Sequence, residues 1–589
     1  MRKGMEYLLS KVQKPARYTG GEMGCVYKDA RDLRVCFCFP DTYEIGMSHL
    51  GLQILYGIAN GMEGVWCERA FAPWPDMEAE LREHGVPLYA LESGMPLSGH
   101  AVLAFTLQYE LCYTNVLNML DLGGVPVRSA DRGGDMPIVM AGGPCAYNPE
   151  PMADFIDVFA VGEGEELFCE MLEAVRQGTA AHRSRAEILE ALSRIDGVYV
   201  PSLYKPPGVI TKRAVRDLDG TYYPEHPLVP NTEVVHDRVM LELFRGCIRG
   251  CRFCQAGFSS RPVRRRSPDV LVSQGVAALK YSGCGEIALT SLSSSDYPGL
   301  PEVSERLFEY CEPRRVNLSL PSLRADSITG DMLAQMRRVR RSGLTFAPEA
   351  GTQRLRDVIN KNMTEDELLR ACALAFENGW SGVKLYFMLG LPTETDGDVL
   401  AIAELASRVY STWRERAPDR SRGVRVTVSA SNFVPKPQTP FQWAAQNSAD
   451  EFARKADMLK KALRRQLSFS WHDARASVLE GVLARGDRRL GAAIESAWRA
   501  GCRMDAWKEH FDYQLWTDAI SAEGLSIGEY TRARETGEPL PWGHISAGVD
   551  AGFLRGEYAR AMDGGTTPDC AAACPGCGAC SAPRGEVRV

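Results

Sequence analysis

Short apolar runs alternate with helical patterns along the first part of the chain. Runs rich in β-branched and aromatic residues predict strands, and apolar residues spaced three or four apart predict helices between them. The predicted strands are Arg34–Phe39, Val65–Ala72, Val102–Leu107, Pro137–Ala141 and Asp157–Val161, with helices that include His49–Asn60, Met77–His84 and Tyr109–Leu122. This alternation is typical of parallel sheets, so residues 1–210 are predicted to form a doubly wound α/β domain, followed by a linker to residue 236.

A second strand–helix series occupies residues 237–445. Its predicted strands are Val239–Leu243, Glu286–Thr290, Val316–Leu320, Gly343–Phe346, Val383–Leu389 and Val424–Ser429, with helices such as Asp269–Tyr281 and Glu365–Asn378 between them. Six such units predict a curved parallel sheet or partial barrel, with its active site at the carboxyl ends of the strands. From residue 446 to residue 589 the pattern is mainly helical and ends in a cysteine-rich tail.

Composition and charge narrow the class of protein. The 589 residues are 45% hydrophobic and 24% charged, which is ordinary for a globular protein. The net charge of −7 gives no overall basic signature for nucleic-acid binding. The segment Met1–Glu6 lacks the apolar run of a signal peptide, and the most apolar stretch, Ala101–Leu120, is interrupted by polar residues. We therefore expect a cytoplasmic protein without membrane spans.

The chain has eighteen cysteines, a high count for a protein expected in a reducing compartment. Reducing conditions disfavour disulfides, so clustered cysteines indicate metal binding. One group comprises Cys247, Cys251 and Cys254, and the other comprises Cys570, Cys574, Cys577 and Cys580. The eleven scattered cysteines are expected to be small buried apolar residues.

The first cysteine group follows the first predicted strand of the second series. Its three thiolates fit one loop around one cluster, and because four-iron clusters normally take four thiolates, one iron would stay open for a small molecule. Gly246 and Gly250 are expected to let the backbone come close to the cluster. The alternative is a zinc site completed by a distant fourth ligand; the spacing and the position after a strand favour iron and sulfur.

The CxxxCxxC loop, with Phe253 before its third cysteine, resembles the radical S-adenosylmethionine superfamily. The resemblance implies that the open iron of a [4Fe-4S] cluster binds the amino and carboxylate groups of S-adenosylmethionine. One electron from the cluster would then cleave the C–S bond and give a 5′-deoxyadenosyl radical, with Phe253 beside the adenine. A reductant such as flavodoxin or ferredoxin is implied as a partner.

Motifs after the following strands are similar to other cofactor contacts of that superfamily. The run Ser291–Asp296 departs from the Gly-Gly-Glu pattern that binds the methionine amino group in many members. Glu349, which alone would be interpreted as a solvated loop acid, resembles the carboxylate that holds the ribose hydroxyls. The implied cofactor-binding residues are Phe253, Ser293, Ser295, Ser319, Ser322, Arg324, Glu349, Gly390 and Pro392.

The order of the domains resembles that of cobalamin-binding radical enzymes. Glycines directly follow two predicted strands of the first domain: Gly142, Gly143, Gly162 and Gly164. The resemblance implies that these turns bring backbone amides to the corrin side chains or the nucleotide tail. The Asp-x-His-x-x-Gly motif of many cobalamin domains is absent, so we expect His49 to face the sheet or cap a helix and cobalt to take no histidine from the protein. The alternative is an α/β domain without a cofactor.

The tail cysteines allow two metals. The Cys-Pro-Gly-Cys-Gly segment is similar to a zinc knuckle, and four thiolates would satisfy tetrahedral zinc. The spacing also resembles a ferredoxin loop around a second [4Fe-4S] cluster, which is favoured because zinc sites usually pair two separated knuckles. A third alternative is a tail whose thiols bind nothing.

Seven arginines and no acidic residue lie between positions 245 and 266. They could supply countercharge to the cluster, or they could bind a phosphate-bearing substrate such as RNA. The sequence leaves both interpretations open.

The first functional hypothesis is a cobalamin-dependent methyltransferase acting on an unreactive carbon. Cobalamin would carry a methyl group from one S-adenosylmethionine, while a second one supplies the radical. An alternative is a methylthio transferase with the tail cluster as sulfur source. Another is an iron–sulfur nucleic-acid or ribosome-binding factor without radical catalysis. The substrate is not predicted, although RNA is a candidate.

Overall fold

The structure is a computed structural model that describes residues 5–28, 32–320, 324–327, 330, 333, 343–421 and 423–580. Its first sheet has strands β1 (Leu33–Phe39), β2 (Val65–Phe71), β3 (Val102–Thr106), β4 (Ile138–Gly142), β5 (Val158–Ala160) and β6 (Val198–Tyr199). The spatial order is β2-β1-β3-β4-β5-β6; the first five strands are parallel, and β6 runs antiparallel to β5. The chain leaves β1 in opposite directions toward β2 and β3, which confirms the doubly wound prediction.

Helices cover both faces of the first sheet. They are Met5–Leu9, Tyr43–Met47, Leu50–Gly61, Pro75–Glu83, Tyr113–Leu122, Gly164–Ala180 and Arg185–Ser193. Every residue of β2 and β3 is buried, including the charged Glu68 and Arg69 of β2, as expected for strands of a parallel sheet that is covered on both faces. The linker contributes β7 (Ile210–Thr211), which pairs with the distant β17 (Ile545–Ser546).

The second series forms two further parallel sheets that share one apolar core. After β7 come β8 (Val239–Glu242), β9 (Phe244–Arg245), β10 (Arg264–Arg265), β11 (Glu286–Thr290), β12 (Asn317–Ser319), β13 (Leu344–Glu349), β14 (Gly382–Leu389), β15 (Arg425–Asn432) and β16 (Leu467–Trp471). The three-stranded sheet has the order β12-β11-β8 and the four-stranded sheet the order β13-β14-β15-β16. All six predicted strands are present. Their helices are Gln255–Ser259, Pro268–Ser282, Leu300–Cys311, Gln353–Val358, Glu365–Glu377 and Asp396–Arg416.

Strand β16 was not predicted. It is short, lies within a helical pattern, and ends in the half-exposed Trp471 at the edge of the sheet. It nevertheless pairs in parallel with β15 over its whole length. The sheet of the second series therefore extends past residue 445.

The rest of the C-terminal region is helical, as predicted. Its helices are Ala449–Ala462, Ala474–Ala484, Leu490–Ala500, Tyr513–Ala522, Ile527–Thr531 and Ala551–Met562. Several of them pack onto the first domain: Leu479, Ile494 and Trp516 belong to the same buried core as β1 to β5. The C-terminal region thus joins the two α/β units.

Most of the scattered cysteines are buried. Of the eleven, eight are buried and Cys25, Cys169 and Cys284 are half-buried, as expected for small buried residues.

In the described ranges, every helix falls short of the length and apolar character that crossing a bilayer requires.

Candidate active site

The first cysteine group lies in a loop between β9 and the helix Gln255–Ser259. Cys247 is buried, and Cys251 and Cys254 are half-buried. Burial and the neighbouring thiols raise the pKa of Cys247 to about 12 and that of Cys254 to about 11. Metal binding would shift these thiols to thiolates, because a metal binds the deprotonated form.

The donor set of this loop fits a [4Fe-4S] cluster. Cys251 lies close enough to Cys247 and Cys254 to raise the pKa of each of these two thiols, so the three side chains share one site. Three thiolates are one fewer than structural zinc takes, and they would leave one iron of a four-iron cluster open. The sulfur of Cys254 also accepts the backbone N–H of Gly257 over 3.3 Å, a hydrogen bond of the kind that tunes iron–sulfur clusters.

Two loop glycines are required by the surrounding chain. Gly246 has a φ of +92°, and a Cβ there would lie 2.6 Å from the carbonyl oxygen of Pro262. A Cβ on Gly250 would lie 2.8 Å from Nδ2 of Asn360. In both cases the added Cβ would clash with protein atoms. The two glycines therefore let the loop pack closely against Pro262 and Asn360.

Glu349 lies at the end of β13 and near the thiol of Cys254. Its φ is +66°, a strained conformation for a residue with a side chain and one found often at functional sites. Its Oε1 lies 3.1 Å from Nζ of Lys361. Although burial opposes the charge of Lys361, the Glu349 carboxylate raises the pKa of that amine. Lys361 was not identified from the sequence; a lysine between two asparagines carries no motif.

The serines predicted to bind S-adenosylmethionine end the strands beside this loop. Ser293 is buried beside Asp296, and Ser319 is buried beside Glu286. Within the described ranges, neither serine hydroxyl completes a well-directed hydrogen bond, so both could accept a ligand.

Ser295 and Arg324 also meet in this region. The hydroxyl of Ser295 accepts the backbone N–H of Arg324 over 3.3 Å. The Arg324 guanidinium donates to the carbonyl oxygens of Lys361 and Asn362, each over 3.2 Å. The predicted contact Ser322 lies outside the described residues.

Phe253 packs into a small apolar cluster with residues that follow β13, β14 and β15, among them Ala350, Leu391 and Phe433. The structure thus brings together the ends of three strands that the sequence placed separately. Gly390 has a φ of +83°, and a Cβ there would lie 2.5 Å from the ring of Phe452. Close packing against Phe452 therefore explains why residue 390 is a glycine. The half-buried Pro392 lies two residues further along. Their contact with adenine stays a prediction.

A cavity of about 440 Å³ opens at the carboxyl ends of β1, β3, β4 and β5. On one side it is lined by the predicted glycines Gly142, Gly143, Gly162 and Gly164. On the other side it is lined by Gln255, Ala256 and Ser259 of the helix that follows Cys254. Apolar side chains including Phe37, Ile54, Phe105 and Phe168 form its floor. One cavity therefore joins the first domain to the cysteine loop.

The glycine turns are sterically demanding. Gly143 has a φ of +101°, and a Cβ there would lie 2.8 Å from the carbonyl oxygen of Leu107. Gly162 has a φ of +107°, and a Cβ there would lie 2.1 Å from the carbonyl oxygen of Arg213. Both turns hold the cavity rim through close backbone contacts, which a larger residue would break.

His49 lines the same cavity and caps the helix Leu50–Gly61, one of its two expected positions. Its Nδ1 accepts the backbone N–H of Leu52 over 3.1 Å. Burial lowers the pKa of His49, and hydrogen bonding with Gln108 opposes that shift. The Nδ1 lone pair is used by the helix cap, so this nitrogen is not free for a metal.

The acidic residues of the Gly162–Glu165 turn join the two α/β units. Arg245 forms ion pairs with Glu163 at 3.2 Å, Glu165 at 2.8 Å and Glu242 at 2.9 Å. Arg264 adds a second pair with Glu163 at 2.6 Å. These partly buried pairs fix the cavity walls relative to each other.

The other arginines of the 245–266 run are internal as well. Arg252, Arg261 and Arg266 are buried, and Arg249 is half-buried against the acids Asp296, Asp326 and Asp569. Only Arg265 of this run is exposed. The run is therefore mainly internal countercharge, and its binding of a phosphate-bearing substrate stays a prediction.

The cysteine tail packs directly against the first cysteine loop. Cys570 donates its backbone N–H to the carbonyl oxygen of Ile248 over 3.0 Å. Cys577 is buried and packs in one cluster with Phe258, four residues after Cys254. Charge on any of Cys574, Cys577 and Cys580 would raise the pKa of the Cys570 thiol, so the four thiols are near one another. The contact between the two cysteine groups was not predicted from the sequence.

Comparison with known proteins agrees with this geometry. Residues 241–406 match the radical SAM superfamily, and residues 51–201 match the N-terminal region of radical SAM proteins. An uncharacterized protein of Methanocaldococcus jannaschii is 28% identical over 470 residues, which are 78% of this chain and 90% of the relative. A putative methylthiotransferase of the same organism is 27% identical over 187 residues, which are 30% of this chain and 41% of the relative. The anaerobic magnesium-protoporphyrin IX monomethyl ester cyclase of Rubrivivax gelatinosus is 26% identical over 47% of this chain and 48% of its own length.

Solved structures are more distant. The radical S-adenosylmethionine methyltransferase TsrM from Kitasatospora setae is 14% identical, with a TM-score of 0.45 over 67% of this chain and 72% of its own. The cobalamin-dependent S-adenosylmethionine radical enzyme OxsB is 11% identical, with a TM-score of 0.46 over 95% of this chain and 84% of its own. The family matches over both α/β units, together with the CxxxCxxC loop, show that the chain belongs to the radical SAM superfamily.

Proposed function

We propose that this protein is a cobalamin-dependent radical S-adenosylmethionine methyltransferase that acts on an unreactive carbon. One observation carries the proposal: a single cavity is bounded both by the glycine turns of the first domain and by the helix directly behind Cys254. A ligand in this cavity would lie next to the cysteine loop. Two cofactors could therefore act on one substrate placed between them.

The cavity suits a large, flat and partly apolar ligand such as a corrin. Its floor is apolar, and its rim is backbone at Gly142–Gly143 and Gly162, where amides and carbonyls can meet polar side chains of the ligand. Nδ1 of His49 is engaged in the helix cap, which suits a cobalamin whose cobalt takes no protein ligand. The sheet order β2-β1-β3-β4-β5 places this site where doubly wound folds bind nucleotide-like cofactors.

When bound, the [4Fe-4S] cluster would supply one electron for cleavage of S-adenosylmethionine, and cobalamin would carry the methyl group. The protein's own part is to hold and orient these groups. Ser293 and Ser319 offer buried hydroxyls without a well-directed hydrogen bond among the described residues, and Glu349 offers a carboxylate that is paired with Lys361. Phe253 presents an apolar surface to the adenine side of the site.

Formation of 5′-deoxyadenosine tests the radical step. Anaerobic protein with a reconstituted cluster, reduced with dithionite in the presence of S-adenosylmethionine, should produce it. Cys251→Ala should lose the product, whereas Cys284→Ala, a half-buried cysteine outside both groups, should keep it. Absence of product from the reduced, cluster-containing wild type would reject radical catalysis and favour the non-catalytic binding factor.

Cobalamin binding needs a separate test. Wild-type protein refolded or reconstituted with hydroxocobalamin should keep the visible corrin bands after gel filtration. Gly142→Trp, which fills the cavity at its rim, should lose them, while Gly134→Trp, a glycine with open space beyond its Cα, should keep them. If no corrin is retained while 5′-deoxyadenosine still forms, methyl transfer through cobalamin is rejected and the radical enzyme stands.

Methylthio transfer is the second candidate, and one observation favours it: the tail cysteines lie against the first cysteine loop. The similarity to a putative methylthiotransferase covers part of the chain. The mass of the product separates the two reactions, since methylthio transfer adds a sulfur that methyl transfer does not. Mass spectrometry of RNA and protein from cells with and without this gene would identify the substrate class directly from the modified molecule.

A further inference from the structure

Several contacts hold the segment of the four tail cysteines in place. Asp569, the residue before Cys570, pairs with Arg249 over 3.0 Å, and Arg249 lies between Cys247 and Cys251. The carbonyl oxygen of Cys577 accepts the backbone N–H of Asp550 over 2.9 Å. The segment that carries the thiols is thereby fixed to the first cysteine loop and to the start of the helix Ala551–Met562.

One N–H group of a buried cation beside these thiols has no hydrogen-bond partner among the described residues. Arg261 is only 3% exposed and lies near Cys570 and Cys580. Its Nε and Nη2 donate to the carbonyl oxygens of Gly257 and Arg249. Its Nη1 has no hydrogen-bond partner among the described residues. Leaving a buried guanidinium N–H unpaired costs free energy. An anionic group bound beside the tail would accept this N–H and remove that cost.

The compact spacing of the thiols favours one of the two candidate metals. All four cysteines fall within eleven residues, from Cys570 to Cys580, whereas structural zinc sites usually pair two separated knuckles. This spacing resembles a ferredoxin loop, and the sulfides of a [4Fe-4S] cluster there would accept the unpaired N–H of Arg261.

The tail thiols are more exposed to solvent than those of the first cysteine loop. Cys574 and Cys580 are exposed, whereas Cys247 of the first loop is buried. A protein reductant can therefore approach the tail more closely than the first cluster. The hydrogen bond from Cys570 to Ile248, the residue after Cys247, links the two sites directly.

We propose that Cys570, Cys574, Cys577 and Cys580 hold a second [4Fe-4S] cluster, which relays single electrons from a protein reductant to the cluster at Cys247, Cys251 and Cys254. The metal site stands on its own geometry, and the relay role rests on the radical chemistry proposed above. For each turnover a one-electron donor such as reduced flavodoxin is oxidised, and its electron passes through the tail cluster to the first cluster. That electron enters the S–C bond of S-adenosylmethionine, which yields methionine and the 5′-deoxyadenosyl radical.

Iron analysis of the reconstituted full chain tests the metal site. Wild type should hold about eight irons per chain, and both the Cys247→Ala/Cys251→Ala/Cys254→Ala variant and the Cys574→Ser/Cys580→Ser variant should hold about four. The control Cys169→Ser/Cys284→Ser should hold as many as wild type, because those cysteines lie outside both groups. One zinc per chain in the first-loop variant, or a first-loop variant without iron, would overturn the site.

Two reductants then test the relay. The rate of 5′-deoxyadenosine formation is measured with dithionite, a small reductant, and with reduced flavodoxin. In Cys574→Ser/Cys580→Ser the flavodoxin rate divided by the dithionite rate should fall at least about tenfold relative to wild type and to the control. An unchanged ratio would reject the relay even if the second cluster is present. Wild type that makes no 5′-deoxyadenosine with either reductant would reject the proposed function, while the iron counts still decide the metal site.

Discussion

The backbone N–H of Cys570 donates to the carbonyl oxygen of Ile248 over 3.0 Å, so the tail and the first cysteine loop form one surface. The ion pair between Asp569 and Arg249 lies beside this contact and strengthens it. Because metal binding stabilises the segment that supplies the ligands, occupancy of either site should stiffen the other. The C-terminal region is thus part of the active-site architecture.

Removal of the Glu349 carboxylate should weaken binding of S-adenosylmethionine. Glu349→Gln keeps the shape of the side chain but loses a charged hydrogen-bond acceptor, and such bonds contribute about 1.5–3 kcal/mol. The dissociation constant should therefore rise between about tenfold and about a hundredfold, as measured by calorimetry on the reconstituted protein.

The matched control for this change is Glu404→Gln, an exposed glutamate on the helix Asp396–Arg416. It should bind S-adenosylmethionine as wild type does. Equal dissociation constants for Glu349→Gln and wild type would show that Glu349 serves only its ion pair with Lys361.

Local patterns predicted the sheets well. Glu286–Thr290 is the predicted strand without any change of bounds, because a buried strand in a parallel sheet is a short apolar run with helices on each side. The glycines at 142–143 and 162 were also found from sequence, since a glycine directly after a strand indicates a tight turn.

Contacts between distant segments could not be predicted in the same way. Lys361 reaches Glu349 only because its loop folds back beside the cysteine loop. No acidic residue lies within the 245–266 run, yet Glu163 and Glu557, which are far away in the sequence, form ion pairs with its arginines. Sequence patterns report local spacing, whereas the partner of a buried charge depends on tertiary packing.

Gly162→Ala should destabilise the first domain more than a comparable glycine change. The added Cβ would combine a φ of +107° with an approach of 2.1 Å to the carbonyl oxygen of Arg213. Gly501→Ala provides the control, because its φ is +112° and no atom lies within 4 Å of the added Cβ.

Backbone strain alone should cost Gly501→Ala about 1–3 kcal/mol, and the clash should cost Gly162→Ala about 1–3 kcal/mol more. Urea unfolding of the two variants measures the difference in the free energy of unfolding. Equal losses would mean that β5 and the segment around Arg213 move apart freely, and that the cavity rim is not held by this contact.

Asp505 should make stability depend on pH. Burial raises its pKa to about 6, although Thr114 and Trp516 donate hydrogen bonds to its carboxylate over 2.6 Å and 3.0 Å. The folded state therefore holds this proton more tightly than the unfolded state does. The contribution of Asp505 to the free energy of unfolding is greatest below about pH 4, falls as the pH rises through about 6, and is constant above that.

The difference between wild type and Asp505→Asn isolates this contribution, which should decline by up to about 3 kcal/mol between pH 4 and pH 6.5. Asp518→Asn, an exposed aspartate on the neighbouring helix, serves as control and should show no such decline. A difference that does not change with pH would mean that the Asp505 carboxyl titrates alike in the folded and unfolded states.

The buried ion pair between Arg252 and Glu557 should couple the cysteine loop to the C-terminal helix. Nε of Arg252 lies 3.0 Å from Oε2 of Glu557, and the two side chains are 0% and 3% exposed. Glu557→Gln leaves the buried charge of Arg252 uncompensated, so it should lower the free energy of unfolding by about 3–5 kcal/mol. Arg252→Met should cost less, because Glu557 keeps its 2.6 Å ion pair with Arg560. The double variant Arg252→Met/Glu557→Gln should lose much less than the sum, because neither charge is then left alone. Urea unfolding of the four proteins gives the coupling energy, and additive losses would show that Thr567 and the carbonyl groups around Arg252 satisfy each charge separately.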